Sequence, residues 1–204
     1  MALSSIQQGL IAQYEYAKFL MLGSGGLLEL AAPMTDDERR DYEIHRRGRY
    51  GVGLANQVKS STHLHRMSKN ARYLYIHFDV RADRLVSSPF FWYFFAFLDP
   101  KLMGLADPTY LIPSKDFHEM AAPRLRNGVW YFTMAASMEP KARDKWHPYR
   151  VNTLDLGEKV LEIMADLKRR RVPVDQLAAV LSMQGAVRVV PSAARPVATA
   201  ALSY

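Results

Sequence analysis

Gly53-Leu54-Ala55-Asn56-Gln57-Val58-Lys59 is the stretch of sequence that decides how this chain folds. Apolar and polar residues alternate through it, which predicts a β-strand from Gly51 to Ser60. A strand turns successive side chains to opposite faces, so the residues separate into two sets. The two sets are Ala55, Gln57 and Lys59 on one face and Leu54, Asn56 and Val58 on the other. An amide and a lysine therefore share one face of the predicted strand.

The residues before this strand predict a helix followed by a hairpin. Apolar residues recur at helical spacing from Ser5 to Leu22, and a glycine-rich segment ends that helix. Leu27 to Ala32 predicts a short strand, and the alternation from Asp41 to His45 predicts a second one. Arg46-Arg47-Gly48-Arg49 is typical of the turn that leads into the Gln57 strand. Glu15 lies at the edge of the apolar stripe of the helix, so it can face inward.

The later residues predict further strands and one more helix. Ser61 to Asn70 is polar and predicts a loop. The other predicted elements are strands at Arg72 to Val80, Phe90 to Leu98, Thr109 to Ile112 and Val129 to Ala135, and a helix at Leu154 to Arg171. Strands bracketed by helices predict a mixed α/β or α+β domain over residues 1–172. Residues 173–204 are predicted to form a short helix and an Ala/Pro-rich tail.

Composition narrows the classes of protein to which the chain can belong. The 204 residues are 49% hydrophobic and include no cysteine, which excludes disulfides and thiolate chemistry and fits a cytoplasmic protein. The apolar run from Phe90 to Leu98 is about half of the ~20 residues that a membrane helix needs, so we expect no membrane segment. The N-terminus lacks the basic start of a signal peptide. The net charge of +7 favours a nucleic-acid partner, with an ordinary basic surface as the alternative.

Asp41, Gln57 and Lys59 are the candidates for chemistry. Hydrolysis of a phosphodiester needs a metal ion that activates water, and Mg²⁺ prefers hard oxygen ligands. Asp41 would supply a carboxylate, and the Gln57 side chain and the Val58 backbone would supply neutral oxygens. Lys59 would stabilise the charge that develops on the phosphate, with Glu15 contributing from the helix. The alternative is that these polar residues form a solvated face.

Five arginines surround the predicted hairpin: Arg39, Arg40, Arg46, Arg47 and Arg49. Such a cluster can bind the phosphates on either side of a scissile bond. It can equally be a solvated turn that keeps a sheet edge from aggregating.

Three features resemble the core of the restriction-endonuclease-like, or PD-(D/E)XK, superfamily. They are Glu15 on the first helix, the acidic turn Thr35-Asp36-Asp37 before Asp41, and the stretch Asn56-Gln57-Val58-Lys59-Ser60-Ser61. The acidic turn and the strand that ends in Gln57-Val58-Lys59-Ser60 resemble those of a group of bacterial domains, the DUF4365-like group. Two later stretches also resemble the second half of that group: Phe94-Phe95-Ala96-Phe97-Leu98-Asp99 and Tyr110-Leu111-Ile112-Pro113-Ser114. The resemblance covers roughly residues 5 to 165.

This resemblance implies a restriction-endonuclease-like core, in which a mixed central sheet is flanked by helices. By position it implies Asp41, Gln57 and Val58 at a Mg²⁺ or Mn²⁺ site, Lys59 as the catalytic lysine and Glu15 as the helix acid. Gln57 stands where that family usually has an acid, and Glu38-Arg39-Arg40 where relatives often have a glycine and an apolar residue. Two functions follow: a metal-dependent endonuclease acting on DNA, or a catalytically inactive module that binds nucleic acid or protein. A homodimer is a further expectation.

Overall fold

We describe the fold from a computed structural model, which covers residues 3–33, 40–68 and 71–170. Three α-helices lie in these ranges: α1 (Ser5–Gly23), α2 (Ser114–Ala121) and α3 (Leu156–Arg169). Helix α1 begins at a capping box, because the Ser4 hydroxyl accepts from the Gln7 amide while the Gln7 side chain accepts from the Ser4 amide. The predicted first helix is therefore confirmed to within one residue.

The strands form two sheets. The central sheet has the order β1-β2-β3-β6-β7-β10, in which β3 and β6 are parallel and the other neighbours antiparallel. Its strands are β1 (Leu28–Ala31), β2 (Tyr42–Arg46), β3 (Arg49–Ser61), β6 (Phe91–Asp99), β7 (Gly104–Pro113) and β10 (Arg150–Val151). The second sheet is antiparallel, with the order β4-β5-β9-β8. Its strands are β4 (Leu64–Ser68), β5 (Ala71–Arg81), β8 (Arg124–Arg126) and β9 (Val129–Ser137).

The α+β class with a mixed central sheet is confirmed, and the structure adds a second sheet. Helices α1 and α3 cover one face of the central sheet, whereas α2 and the second sheet cover the other. The prediction of a loop over Ser61 to Asn70 was wrong, because Leu64–Ser68 forms β4, which pairs with β5. The sequence of β4 reads as polar because it is an edge strand, with solvent-exposed side chains at His65 and Arg66.

The aromatic run in β6 fills the core on both faces of the central sheet. Phe90, Phe94 and Ala96 pack on the helix side, and Phe91, Tyr93 and Phe95 pack toward the second sheet. This confirms that the strand is buried, as its composition predicted. Both faces of β6 are apolar because each is covered by another layer.

Helix α1 is held in place by a close contact with α3. A Cβ atom built on Gly157 would lie 2.2 Å from the Ser24 amide nitrogen and 2.4 Å from the Gly23 carbonyl carbon. Only glycine allows the backbones to approach so closely. The contact fixes the C-terminal end of α1 against the start of α3, and α1 then crosses the sheet beside β3.

The division at residue 172 stays a prediction, because residues 173–204 lie outside the described ranges. Within those ranges, no helix has both the length and the apolar character that crossing a membrane requires.

Candidate active site

The candidate site lies where β3 continues beyond β2. Strand β2 pairs with β3 as far as Tyr42 and Asn56, while β3 runs on to Ser61 beside β6. Asp41 comes directly before β2, and its amide donates to the Asn56 carbonyl at 2.8 Å. The backbone of Asp41 is therefore tied to β3 at the point where the β2–β3 ladder ends.

The Asp41 carboxylate bridges β3 and α1. Its Oδ2 accepts from the Val58 amide at 2.6 Å, and its Oδ1 accepts from Gln13 Nε2 at 2.7 Å. Each carboxylate oxygen of Asp41 therefore has a partner, one on β3 and one on α1. The sequence placed Asp41 near Val58, and these two predicted site residues do lie in direct contact.

Backbone oxygens line the same edge of β3. The N–H and C=O groups of one strand residue point to the same side, so the Val58 carbonyl lies on the edge where its amide meets Asp41. Two residues on, the Ser60 carbonyl accepts from Gln8 Nε2 of α1 at 2.7 Å. Hard oxygen donors from Asp41 and β3 therefore converge on this edge.

Gln57 and Lys59 project toward the second sheet, on the face that Ala55 also occupies. Gln57 is buried and lies in register beside Tyr93 of β6. Lys59 Nζ lies 5.4 Å from the centre of the Phe78 ring on β5. The predicted alternation of β3 is thus observed, whereas Asp41 reaches toward α1 on the other side of the sheet. Asp41 therefore lies on the α1 side of β3, and Gln57 and Lys59 lie on the side of the second sheet.

Glu15 and Gln13 are two positions apart in α1, which turns about 100° per residue. Their side chains therefore point in nearly opposite directions, about 200° apart around the helix axis. Both Glu15 carboxylate oxygens accept from Lys18 Nζ at 2.7 Å, and Oε2 would lie 3.2 Å from a Cβ atom on Gly104. The structure therefore places Glu15 beside the start of β7 and brings Gln13 to Asp41. The predicted role of Glu15 stays a prediction.

The predicted arginine cluster is divided between the two ends of β2. Arg40 lies next to Asp41 and forms an ion pair with Glu43. Arg46, Arg47 and Arg49 lie at the hairpin turn, about 17 Å from Asp41 at ~3.4 Å per residue along the strand. Arg39 lies outside the described residues. Only one described arginine of the cluster is therefore adjacent to the candidate site.

Arg46 and Arg49 line a groove of about 1500 Å³ between the hairpin and α3. Lys115 and Lys168 also line it, and these four cations have no carboxylate partner within the described residues. Two of the turn arginines, Arg46 and Arg49, therefore belong to a larger groove in which Lys and Arg side chains outnumber Asp and Glu.

Buried polar groups surround the inner side of Asp41. Burial chiefly, and the Asp41 charge next, raise the pKa of the Tyr16 hydroxyl far above its ordinary value. The same two causes, in the same order, raise the pKa of Tyr42. The Tyr16 hydroxyl and both polar side-chain atoms of Asn56 have no hydrogen-bond partner among the described residues. Buried polar groups usually have partners, so this position suits a bound water or ion.

A divalent cation fits the donor atoms at this edge, although it would have few charged ligands. The donors are one carboxylate and several neutral oxygens, a set that Mg²⁺ and Mn²⁺ accept when water completes the shell. In the part of the chain that the structure describes, no group of three or more His, Cys, Asp or Glu side chains could hold a metal. Any metal here would depend on Asp41 for its negative charge.

Sequence reasoning missed Gln13, Tyr16 and Asn56. Gln13 and Glu15 flank the buried stripe of α1 on opposite sides, and the sequence does not tell which side faces Asp41. Glu15 was chosen because it lies at the edge of the apolar stripe and because the resemblance implies an acid on the first helix. The signal that could have found Gln13 is its place one turn before Tyr16, a large polar-ended residue in the buried stripe.

No family model matches the chain, and no curated protein matches it. Among solved structures, the bacterial homing endonuclease I-Ssp6803I is similar to it, with a TM-score of 0.48 and 18% identity. The similarity covers 82% of this chain and 98% of that one. Identity and TM-score are too low for this likeness to say anything about chemistry.

Proposed function

We propose that this protein is a metal-dependent nuclease that hydrolyses phosphodiester bonds in DNA at the edge of β3. The observation that carries the proposal is the contact between Asp41 and Val58. It joins a carboxylate, a backbone carbonyl edge and the strand that bears Gln57 and Lys59. A nuclease site needs these groups together.

In this proposal Asp41 and the Val58 carbonyl would hold a Mg²⁺ or Mn²⁺ ion, and the Gln57 amide oxygen would reach it past the edge of β3, from the opposite face of the strand, as a neutral ligand. The ion, when bound, activates water and neutralises charge on the phosphate. Gln13 orients the Asp41 carboxylate through the bond to Oδ1. Lys59 would stabilise the negative charge of the transition state.

DNA is the proposed substrate because of the charge of the chain and the basic groove. Arg46 and Arg49 share this groove with Lys115 and Lys168. The hairpin turn lies about 17 Å from Asp41, which is about five nucleotides at ~3.4 Å per base step. The groove can therefore hold backbone phosphates several nucleotides from the bond that is cut.

A catalytically inactive module that binds nucleic acid is the second candidate, and the small number of acids favours it. Asp41 contacts the edge of β3, and among the described residues no group of three or more His, Cys, Asp or Glu side chains could hold a metal. Gln57 is neutral, so the site has one negative charge fewer to attract a metal than a site with an acid at that position. This module would retain the basic groove and bind DNA without cutting it.

Cleavage of DNA tests the choice between these functions. Supercoiled plasmid and single-stranded DNA are incubated with the protein and Mn²⁺, with EDTA as the metal-free control. We expect nicking that needs Mn²⁺ and is lost in Asp41→Ala and in Lys59→Ala. Asp83→Ala and Lys141→Ala, exposed residues away from β3, are matched controls that should cleave normally. Equal cleavage by Asp41→Ala and Lys59→Ala would reject the site, and salt-dependent binding without cleavage would favour the inactive module.

A further inference from the structure

The outer face of the second sheet carries a row of aromatic side chains. In β5 the residues Leu74, Ile76 and Val80 are buried against the central sheet. Strand alternation turns the intervening residues, Tyr73, Tyr75 and His77, to the other side. This side has no layer packed on it among the described elements, whereas every other sheet face is covered.

The rings on this face contact one another between β4 and β5 and along β5. The His65 and Tyr75 ring centres lie 4.8 Å apart, and those of Tyr75 and His77 lie 4.5 Å apart. The neighbours of Tyr75 and His77 on β9 are the small residues Ala135 and Thr133. His65 and His77 are exposed, and Tyr73 and Tyr75 are half-buried.

Aromatic and basic residues meet at one end of the face, where the exposed Asp79 of β5 is in register with Tyr131. Tyr131 is 50% exposed and lies in register with Arg124 of β8. Arg126 follows on the same side of β8, opposite Val129. Neither Arg124 nor Arg126 has a carboxylate partner in the described part of the chain. The distance from Tyr73 to the Tyr131 row is about 20 Å at ~3.4 Å per residue.

We propose that this face binds single-stranded nucleic acid, with bases on the rings and phosphates on Arg124 and Arg126. A sheet surface of aromatic side chains can stack two or three unpaired bases, and cations beside it can hold the backbone. Bases in a duplex are stacked on each other and present only their edges, so rings on a sheet cannot stack on them. A second copy of this chain is disfavoured as the occupant because both partners would carry a net charge of +7.

This proposal does not depend on cleavage at Asp41. The aromatic face lies on the side of the second sheet that points away from the central sheet, and stacking needs no metal. Binding can therefore be measured in EDTA, where the proposed nuclease reaction cannot occur. Loss of cleavage with retained binding, or the reverse, separates the two proposals.

The test measures fluorescence anisotropy of a labelled 12-nucleotide dT strand in EDTA, with a labelled duplex of equal length for comparison. Tyr75→Leu and Tyr131→Leu keep an apolar side chain but remove the ring, whereas Tyr75→Phe and Tyr131→Phe keep the ring as matched controls. We expect each leucine variant to bind the single strand about tenfold more weakly, and each phenylalanine variant to bind like the parent. Arg124→Gln with Arg126→Gln should reduce the salt dependence of binding.

Three results would overturn the proposal. The first is equal single-strand affinity of the leucine variants and the parent while their circular dichroism spectra match. The second is a parent that binds the duplex and not the single strand. The third is a concentration-dependent dimer in sedimentation that Tyr131→Leu dissociates, since the face would then be a protein interface.

Discussion

Replacing Gln13 by Glu is the most informative perturbation of the candidate site. The change keeps the shape of the side chain and exchanges a donor for a second carboxylate beside Asp41. In the parent, Gln13 Nε2 donates to Asp41 Oδ1 at 2.7 Å. A hydrogen bond to a charged group contributes about 1.5–3 kcal/mol, and the variant loses it. The new carboxylate also repels Asp41, or one of the pair takes up a proton.

We expect metal-free Gln13→Glu to be less stable than the parent by about 2–4 kcal/mol at pH 7, combining the lost bond with the like-charge cost. Mn²⁺ should reverse the loss, because two carboxylates hold a divalent ion better than one. A ligand present at 100 times its Kd stabilises the folded state by about 2.7 kcal/mol. Urea unfolding in EDTA and in a series of Mn²⁺ concentrations measures both effects.

Glu15→Gln is the matched control for this experiment, because Glu15 leaves α1 on the opposite side. It loses only a partly exposed ion pair with Lys18, worth about 0–1 kcal/mol. We expect its response to Mn²⁺ to equal that of the parent. A metal-free Gln13→Glu protein as stable as the parent, or one that Mn²⁺ does not stabilise, would refute the reasoning about α1. A weaker Mn²⁺ response in Glu15→Gln would assign the supporting role to Glu15 instead.

Three further predictions concern stability, pH and the basic groove. Gly157→Ala should lower the free energy of unfolding, measured in urea, by at least about 1–3 kcal/mol, because the new Cβ meets backbone atoms. Gly9→Ala is the control: a Cβ there meets nothing within 4 Å, so the variant should gain about 0.5–1 kcal/mol from the better helix propensity of alanine. Equal stability of the two variants would contradict the packing argument. Burial lowers the pKa of His118 from 6.5 to about 4, so the unfolded chain binds the proton first and stability falls as the pH drops from about 7 toward 4. The parent should be less stable at pH 5 than at pH 8, and His118→Gln should reduce this difference in unfolding free energy by about 1–2 kcal/mol, after allowance for the partial exposure of His118 to solvent. The same difference in the variant and the parent would show that His118 is not the group responsible. Arg46→Gln with Arg49→Gln should lower the slope of log K against log salt for DNA binding by about 2, whereas Lys141→Gln should not, and equal slopes would show that the groove binds no phosphate.

The helix and strand pattern could be predicted because local spacing determines it. Helix α1 begins at a Ser4 capping box that can be read from the sequence, and the alternation in β3 assigned Gln57 and Val58 to their correct faces. The second sheet could not be predicted in the same way. Strand β4 is short, polar and at an edge, so its strand character comes from pairing with β5 and not from its own residues.

The candidate site was only partly predictable for a related reason. Asp41 and Val58 are close in any hairpin that joins β2 to β3, so their contact follows from local geometry. The side of α1 that faces Asp41 depends on how α1 is rotated, which the distant contact between Gly23 and Gly157 helps to set. The residues of α1 alone do not fix that rotation, and the one local signal, the place of Gln13 one turn before Tyr16, was not used.

The most direct test of the proposed nuclease site is the position of a bound metal. Crystals of the parent and of Asp41→Asn are soaked in Mn²⁺, and anomalous diffraction locates the ion. The account predicts one Mn²⁺ in the parent that touches the Asp41 carboxylate and the Val58 carbonyl, and none there in Asp41→Asn. An ion bound elsewhere, or an edge of β3 that stays without Mn²⁺ at saturating concentration, would contradict it.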